Sequence, residues 1–432
     1  MPKAKLKIAK TPVKSPTKRS KSHIIYLDNN ATTPLCSAGA KALLKNCACY
    51  NPSSDSAIAK PSRDIITTAT DYIRNLVNAM DYTVIFTSGA TESNCCIMRS
   101  VADAYKRITS QIPHFIISKT EHISIISCAE SMLKNQHIEV SWLKPTVFGT
   151  TIPADVEKLI KPNTALIICM YANNEVGCIN NLTEITKIAH EHDIPVFSDC
   201  VQIFGKHIMD MSRNGIDAFS ASFHKFYGPK GLGLLVISND LLNGYKLEAQ
   251  INGHQQNNLR GGTENVPAIA AGLATCKWNF AKREAKSAHL AKLRNRLIEG
   301  LQKHFPVQYW AEYVQQNKQP DELSEPTIFI FGSKTQKTML PNTLLISIAD
   351  PSKKFCNVEF KKALDKVGVV VSIGSACNTH EKNASHVVSA LNTPDFVKRG
   401  VLRISLGDAN TTAEIDTVLN IMVNMLKPTF DQ

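Results

Sequence analysis

The sequence predicts an α/β fold, with a mostly parallel seven-stranded sheet flanked by helices and a smaller α/β unit toward the C-terminal end. Three observations predict it. From about residue 80, short apolar runs alternate with longer amphipathic stretches, the pattern of a largely parallel sheet covered on both faces. The last hundred residues repeat that alternation on a smaller scale. At 432 residues with 43% apolar side chains, the chain can bury a large core and a second, smaller one.

In chain order, strands are expected at Val84–Ser88, His114–Lys119, Ile138–Leu143, Ala165–Tyr171, Pro195–Asp199, Asp217–Ser222 and Gly231–Ile237. Helical patterns at Glu92–Gln111, Ile123–Asn135 and Leu182–His192 separate several of them. A long helical stretch from Val266 to His304 leads out of the first unit. Strand-like runs at Thr343–Ile348 and Val367–Ser372, with helices at Val358–Lys366 and Thr412–Leu426, make up the second. Residues 312–341, polar and punctuated by proline, read as a surface excursion. The expected division is a disordered arm over 1–22, a large domain over 23–280 whose first residues can pack with the small one, and a small domain over 281–432. In sheets of this kind ligands collect at the carboxyl ends of the strands.

The net charge of +12 is concentrated at one end. Residues 1–22 carry seven lysines, Arg19 and no acid, and so supply +8 of it. Prolines 2, 12 and 16 and the shortage of apolar residues predict disorder there. A solubilising tail, a targeting signal and a weak polyanion-binding arm are all consistent with that composition. The twelve cysteines form no CxxC pair and no ladder of spacings, so reduced thiols are expected, eleven of them buried. No metal site is expected. No apolar run is long enough for a bilayer, no secretory pattern opens the chain, and no membrane association is expected. The expected setting is intracellular and cytoplasmic, with mitochondrial or nuclear targeting by the arm as alternatives.

Three clusters carry candidate chemistry. In Ser220-Ala-Ser-Phe-His-Lys-Phe-Tyr-Gly-Pro-Lys-Gly231, Lys225 follows a strand among small residues. Partial desolvation there would favour the neutral amine, a Schiff-base former, with Ser222 and His224 as anion-binding neighbours. Thr87-Ser-Gly-Ala-Thr-Glu-Ser-Asn94 joins a strand to a helix. Its backbone N–H groups and the helix dipole suit a phosphate, although Ser88 or Thr91 can equally serve as a plain helix cap. Pro195-Val-Phe-Ser-Asp-Cys-Val-Gln202 is an apolar strand ending in a carboxylate. Asp199 needs a cationic partner in such a place, either a ligand's ring nitrogen or a structural arginine.

With these stand Tyr26-Leu-Asp-Asn-Asn-Ala-Thr-Thr-Pro34, Thr120-Glu-His122, Asn173-Asn-Glu-Val-Gly177, Arg260-Gly-Gly-Thr-Glu-Asn-Val266, Ser372-Ile-Gly-Ser-Ala-Cys377 and Arg403-Ile-Ser-Leu-Gly407. In this order, over residues 24–426, the set resembles the NifS-type cysteine desulfurases of the class V aminotransferase superfamily. The resemblance implies a fold type I transferase and pyridoxal 5'-phosphate as cofactor. Lys225 would hold the cofactor covalently, and Asp199 would pair with its ring nitrogen. Gln202 would bond the ring hydroxyl, with Asn174 close by, and His122 would stack on the ring and shuttle protons. Ala90, Thr91, Ser222 and His224 would hold the phosphate, with Thr263 supplied by the partner of a homodimer. Arg403 would clamp the substrate carboxylate, with Asn174 and Asn30 beside the substrate.

Cys377 sets the reaction class. Small residues precede it and the polar run Asn378-Thr-His-Glu-Lys-Asn383 follows, which suits an exposed loop better than a core. By resemblance its thiolate takes the sulfur of cysteine as a persulfide, leaving alanine, and passes it to an iron–sulfur scaffold or another sulfur carrier such as one serving tRNA thiolation. His380 and Lys382 can lower its pKa. One stretch departs from the family pattern: Asn252-Gly-His-Gln-Gln-Asn-Asn258 stands where a glycine-rich segment with an acid and an arginine is usual. Selenocysteine lyase or another class V transaminase is the alternative reading. A non-catalytic nucleic-acid-associated scaffold is the distant one.

Overall fold

The computed structural model describes residues 24–316, 323–374 and 385–431. Its thirteen strands are β1 Ile25–Tyr26, β2 Tyr82–Thr87, β3 His114–Ser118, β4 Glu139–Leu143, β5 Thr164–Ile168, β6 Val196–Asp199, β7 Ala218–Ser222, β8 Gly233–Ser238, β9 Val307–Tyr309, β10 Thr327–Ile330, β11 Thr343–Ala349, β12 Val369–Val370 and β13 Val401–Ser405. Seven form the main sheet in the order β2-β8-β7-β6-β5-β3-β4. Only β8 runs antiparallel to its neighbours. The central strands read as unbroken buried runs, such as Thr164-Ala-Leu-Ile-Ile168, because helices cover both faces and leave no side for polar residues. Each expected strand of this sheet is present, displaced at most by three residues at an end.

Four helices precede or line the first strands: α1 Ser37–Lys45, α2 Lys60–Leu76, α3 Ala90–Thr109 and α4 Ile123–Lys134. A second sheet has the order β13-β11-β10-β9, and a third consists of β1 and β12 in parallel. Ile25 and Leu27 thus belong to the core formed with Leu344, Ile346, Val369 and Ile404, far from them in sequence. The helix Thr412–Phe430 packs here too, started by a capping box between Thr411 and Glu414.

Three expectations need correction. Residues 312–341 are not purely a surface excursion, because β10 lies inside the second sheet with all four residues buried. The stretch Val266–His304 is two helices, Val266–Phe280 and Arg283–Gln302, broken where Lys282 leaves helical geometry at φ −124°. Among the eleven described cysteines six are buried, Cys47 and Cys356 are exposed, and Cys49, Cys95 and Cys96 are half-buried. Cys47 lies just past the end of α1, its thiol donating to Leu43 O at 3.2 Å. The arm 1–22 and Cys377, with its neighbours His380 and Lys382, lie outside the described residues.

Candidate active site

The C-terminal ends of β2, β3, β5, β6 and β7 open into one cavity of about 550 Å³. Its wall includes Lys225, Asp199, His122, Gln202, Asn174 and Arg403. Ala90, Thr91, Ser222, His224 and Asn30 line it as well. Every described residue assigned from the sequence is therefore brought together, apart from Thr263. That residue is exposed and does not border this cavity.

One end of the cavity is built for an anion. α3 begins directly after the β2 loop, so its unpaired N–H groups open at Ala90 and Thr91. The loop lies flat against β8: a Cβ on Gly233 would meet the Gly89 backbone at 2.5 Å, so only glycine allows the approach. Glu92 accepts from Ser88 N at 2.9 Å and pairs with Arg260 at 2.9 Å, which turns its charge away from the anion end. His224 Nδ1 lies 3.1 Å from Thr32 Oγ1. Burial, with Lys225, Lys230 and Lys206 adding repulsion, lowers its pKa to about 4.

The middle of the cavity is built for an aromatic ring with a cationic nitrogen. Asp199, 4% exposed, ends β6. It accepts from Asn94 Nδ2 at 3.1 Å and Val201 N at 3.0 Å. No arginine or lysine pairs with it among the described residues, which removes the structural-arginine reading. A carboxylate so placed costs several kcal/mol unless a cation joins it. His122 is the N-cap of α4: its Nδ1 accepts from Ser124 N at 3.2 Å. The cap fixes the ring and leaves the proton on Nε2. Burial, then Lys225 and His386, lower its pKa against the opposing pull of Asp199.

Lys225 follows β7 on a short 3-10 turn. Its Nζ donates to Asn30 O at 2.8 Å and Ala31 O at 2.9 Å. Gln202 Nε2 reaches the same Asn30 carbonyl at 3.2 Å. Asn30 itself is 1% exposed, with Nδ2 bonded to Asn174 O at 3.1 Å and Thr343 Oγ1 at 2.8 Å. Its amide is therefore engaged in joining the main sheet to β11. Beneath the site, Glu121 accepts from Met170 N at 2.5 Å. Burial first and Asp199 second raise its pKa well above the usual carboxylate range.

Arg403 on β13 closes the opposite end. Its Nη2 donates to Asp28 Oδ1 at 2.6 Å and its Nη1 to Asn174 O at 3.3 Å, while buried Nε has no partner among the described residues. The sequence reading missed Asp28, because it lies 375 residues away. It also missed His386, whose Nε2 donates to Glu121 O at 2.8 Å at the cavity edge. Ser385 Oγ meets Glu175 Oε2 at 2.5 Å, and a Cβ on Gly374 would stand 3.5 Å from the same oxygen. Ser385, on one side of 375–384, is thus bonded to a carboxylate of the cavity wall, and Gly374, on the other side, lies close to the same group.

The donor set fits pyridoxal phosphate: an amine for its aldehyde, a carboxylate for its ring nitrogen, and a helix N-terminus with Ser222 and His224 for its phosphate. Fold and site define a pyridoxal-phosphate-dependent enzyme, and the chain belongs to the class-V aminotransferase family, whose model matches residues 25–418. Within that family it is 33% identical over 410 residues to the cysteine desulfurase IscS of Methanosarcina thermophila, covering 93% of this chain and 92% of that protein. It is 28% identical over 407 residues to the mitochondrial cysteine desulfurase of Saccharomyces cerevisiae, covering 93% and 75%. A solved NifS-like protein superimposes with a TM-score of 0.79 at 25% identity, over 94% of this chain and 99% of that one. SspA, solved in complex with cysteine, does so at 0.68 and 27%, over 90% and 100%.

Proposed function

We propose that this protein is a cysteine desulfurase that converts L-cysteine to L-alanine and carries the sulfur as a persulfide on Cys377. The observation that carries the reading is the convergence of Lys225, Asp199, His122 and Arg403 on a single cavity, whose wall also includes Glu175, the carboxylate to which Ser385 beside the Cys377 segment donates. When bound, pyridoxal phosphate supplies an electron sink for the bonds of the substrate. Lys225 would supply the amine that attaches the cofactor and a base beside the substrate Cα. Asp199 would hold the ring nitrogen protonated. His122, fixed by its cap, carries a proton at Nε2. Gln202 and Asn174 orient the ring oxygen, and Ala90, Thr91, Ser222 and His224 hold the phosphate.

Arg403 grips the substrate carboxylate through the edge of its guanidinium not occupied by Asp28. The Cys377 thiolate bonds to the substrate sulfur as the carbon–sulfur bond breaks. The electron pair of that bond stays on carbon, which then takes a proton to become alanine. Residues 23–280 are taken as the cofactor-binding domain and 281–432 as the small domain that brings Cys377. Thr263 completes the phosphate site of the second copy in a homodimer, and a sulfur-accepting protein relieves Cys377. A reaction that needs reduced thiols favours an intracellular setting.

The deciding experiment incubates purified protein and cofactor with L-cysteine and measures alanine, together with sulfide released with and without a thiol reductant. Alanine in equal amount to sulfur, with sulfide dependent on the reductant, is expected. Lys225→Ala should lose both the visible absorbance and the turnover. A variant that made alanine at the normal rate would overturn the assignment.

A further inference from the structure

Lys206 stands in the turn after β6, four residues beyond Gln202. Gly205 before it has φ +82° and packs against the Phe226 ring, a bend that returns the lysine under the cavity. The stem of Lys206 is partly exposed, but its ammonium turns inward. Nζ donates to Gln202 Oε1 at 2.6 Å and to Asn30 Oδ1 at 3.2 Å. Among the described residues no carboxylate lies within ion-pair distance of it. Asp408 is engaged by Lys286 at 2.6 Å, and Asp28 by Arg403. Burial pushes its pKa down to about 7, with repulsion from Lys225 and Arg403 adding to that and Asp408 opposing.

A half-desolvated cation without a counter-charge is costly, and a lysine in such a turn would ordinarily point to water. Its contacts here are both to amide oxygens. In its protonated form Lys206 only donates, and with Nζ against Gln202 Oε1 and Asn30 Oδ1 it sets which end of the Gln202 carboxamide faces it. Oxygen must face the lysine, and the NH₂ group must face Asn30 O and the cavity. The same charge lies behind Lys225, whose Nζ shares the Asn30 carbonyl with Gln202. We propose that Lys206 is a positioning residue, which fixes Gln202 with its N–H edge toward the cofactor and favours the unprotonated state of the nitrogen that Lys225 contributes.

This rests on the cofactor reading above, and the test separates the two. Wild type, Lys206→Met, Lys206→Gln and Lys206→Arg are loaded with pyridoxal phosphate, without cysteine. Each is titrated from pH 5 to 10 by visible absorption, and the midpoint of the spectral change is read. Removing the positive charge and releasing the Gln202 amide act in the same direction. Lys206→Met and Lys206→Gln should shift the midpoint upward by about one pH unit, while Lys206→Arg stays near wild type. A merely structural lysine would change thermal stability and leave the midpoint in place. Unshifted midpoints in loaded Met or Gln variants, or an Arg variant displaced as far as they are, would overturn the proposal. Wild type without any cofactor absorbance would instead sink the underlying cofactor assignment. If Lys206→Met does not fold, the polar Lys206→Gln carries the same expectation.

Discussion

Replacing Arg403 by alanine should do two separable things, because the guanidinium already has a structural partner. Nη2 lies 2.6 Å from Asp28 Oδ1, with the two side chains 4% and 15% exposed. At an effective dielectric constant of about 20, opposite charges at that separation attract by roughly 6 kcal/mol, before the cost of desolvating both is subtracted. Removing one partner leaves the other charge stranded, at a typical cost of about 3–5 kcal/mol. Asp28 keeps some contact with water, so about 3 kcal/mol is expected for Arg403→Ala. Asp28→Asn should cost less, about 2 kcal/mol, since Arg403 retains Asn174 O. The double variant, freed of the orphaned charge, should be no worse than Arg403→Ala alone, giving a coupling of about 2 kcal/mol. Urea denaturation of the four proteins measures it. In parallel, the apparent KM for cysteine should rise strongly with Arg403→Ala and mildly with Asp28→Asn. Stability losses that add to within about 0.5 kcal/mol would refute the pairing. An unchanged KM in Arg403→Ala would place the carboxylate grip elsewhere.

Three further outcomes are expected. Cys377→Ser should bind cofactor and cysteine normally, seen as the spectral change on adding cysteine, yet release almost no sulfur; undiminished sulfide would move the mechanism away from a persulfide. His114 is buried between Thr164 Oγ1 and Ser141 Oγ, each at 2.8 Å, and burial lowers its pKa to about 4. Since the unfolded chain then binds the proton more readily, stability should fall as pH drops from about 6.5 to 4. His114→Gln should flatten that fall in urea midpoints, and an equally steep fall would show that other groups dominate. Deleting residues 1–22 should leave turnover near normal and abolish salt-sensitive retention on a polyanion; loss of turnover would mean that the arm packs on the enzyme.

The parts of this molecule that were legible in the sequence are those where one physical demand acts locally. A strand covered on both faces must be apolar throughout, so Thr164–Ile168 and Gly233–Ser238 stood out. Lys225, Asp199 and the Thr87–Asn94 loop each lie where a strand ends, the place where chemistry is expected. α1 and α2 went unread, since their apolar residues are sparse and mixed with lysine, serine and threonine. β10 was hidden because four residues inside a polar stretch carry too short a pattern. The break at Lys282 has no proline or glycine to announce it. Lys206 looked like any lysine in a turn, and only the fold reveals that its ammonium faces inward. Asp28 and Arg403 are paired by the register of β1, β12 and β13, which no local pattern encodes. The Asn252–Asn258 departure has its own local logic. Gln256 sits at φ 49° and bonds Phe86 N and O, at 2.7 and 2.8 Å, capping the open edge of β2.

The parallel pairing of Ile25–Tyr26 with Val369–Val370 has a consequence for how the protein is born. Asn29 Nδ2 donates to Ser405 O across 376 residues, and the Asn30 and Ala31 carbonyls that hold Lys225 belong to the same segment. During synthesis this stretch is made long before Val369, Val370 and Ser405, and must wait for them. The strands of the main sheet all precede residue 239, but the pocket cannot be completed until Arg403 has been made. Until then Ile25 and Leu27, buried in the finished fold, have no core to enter.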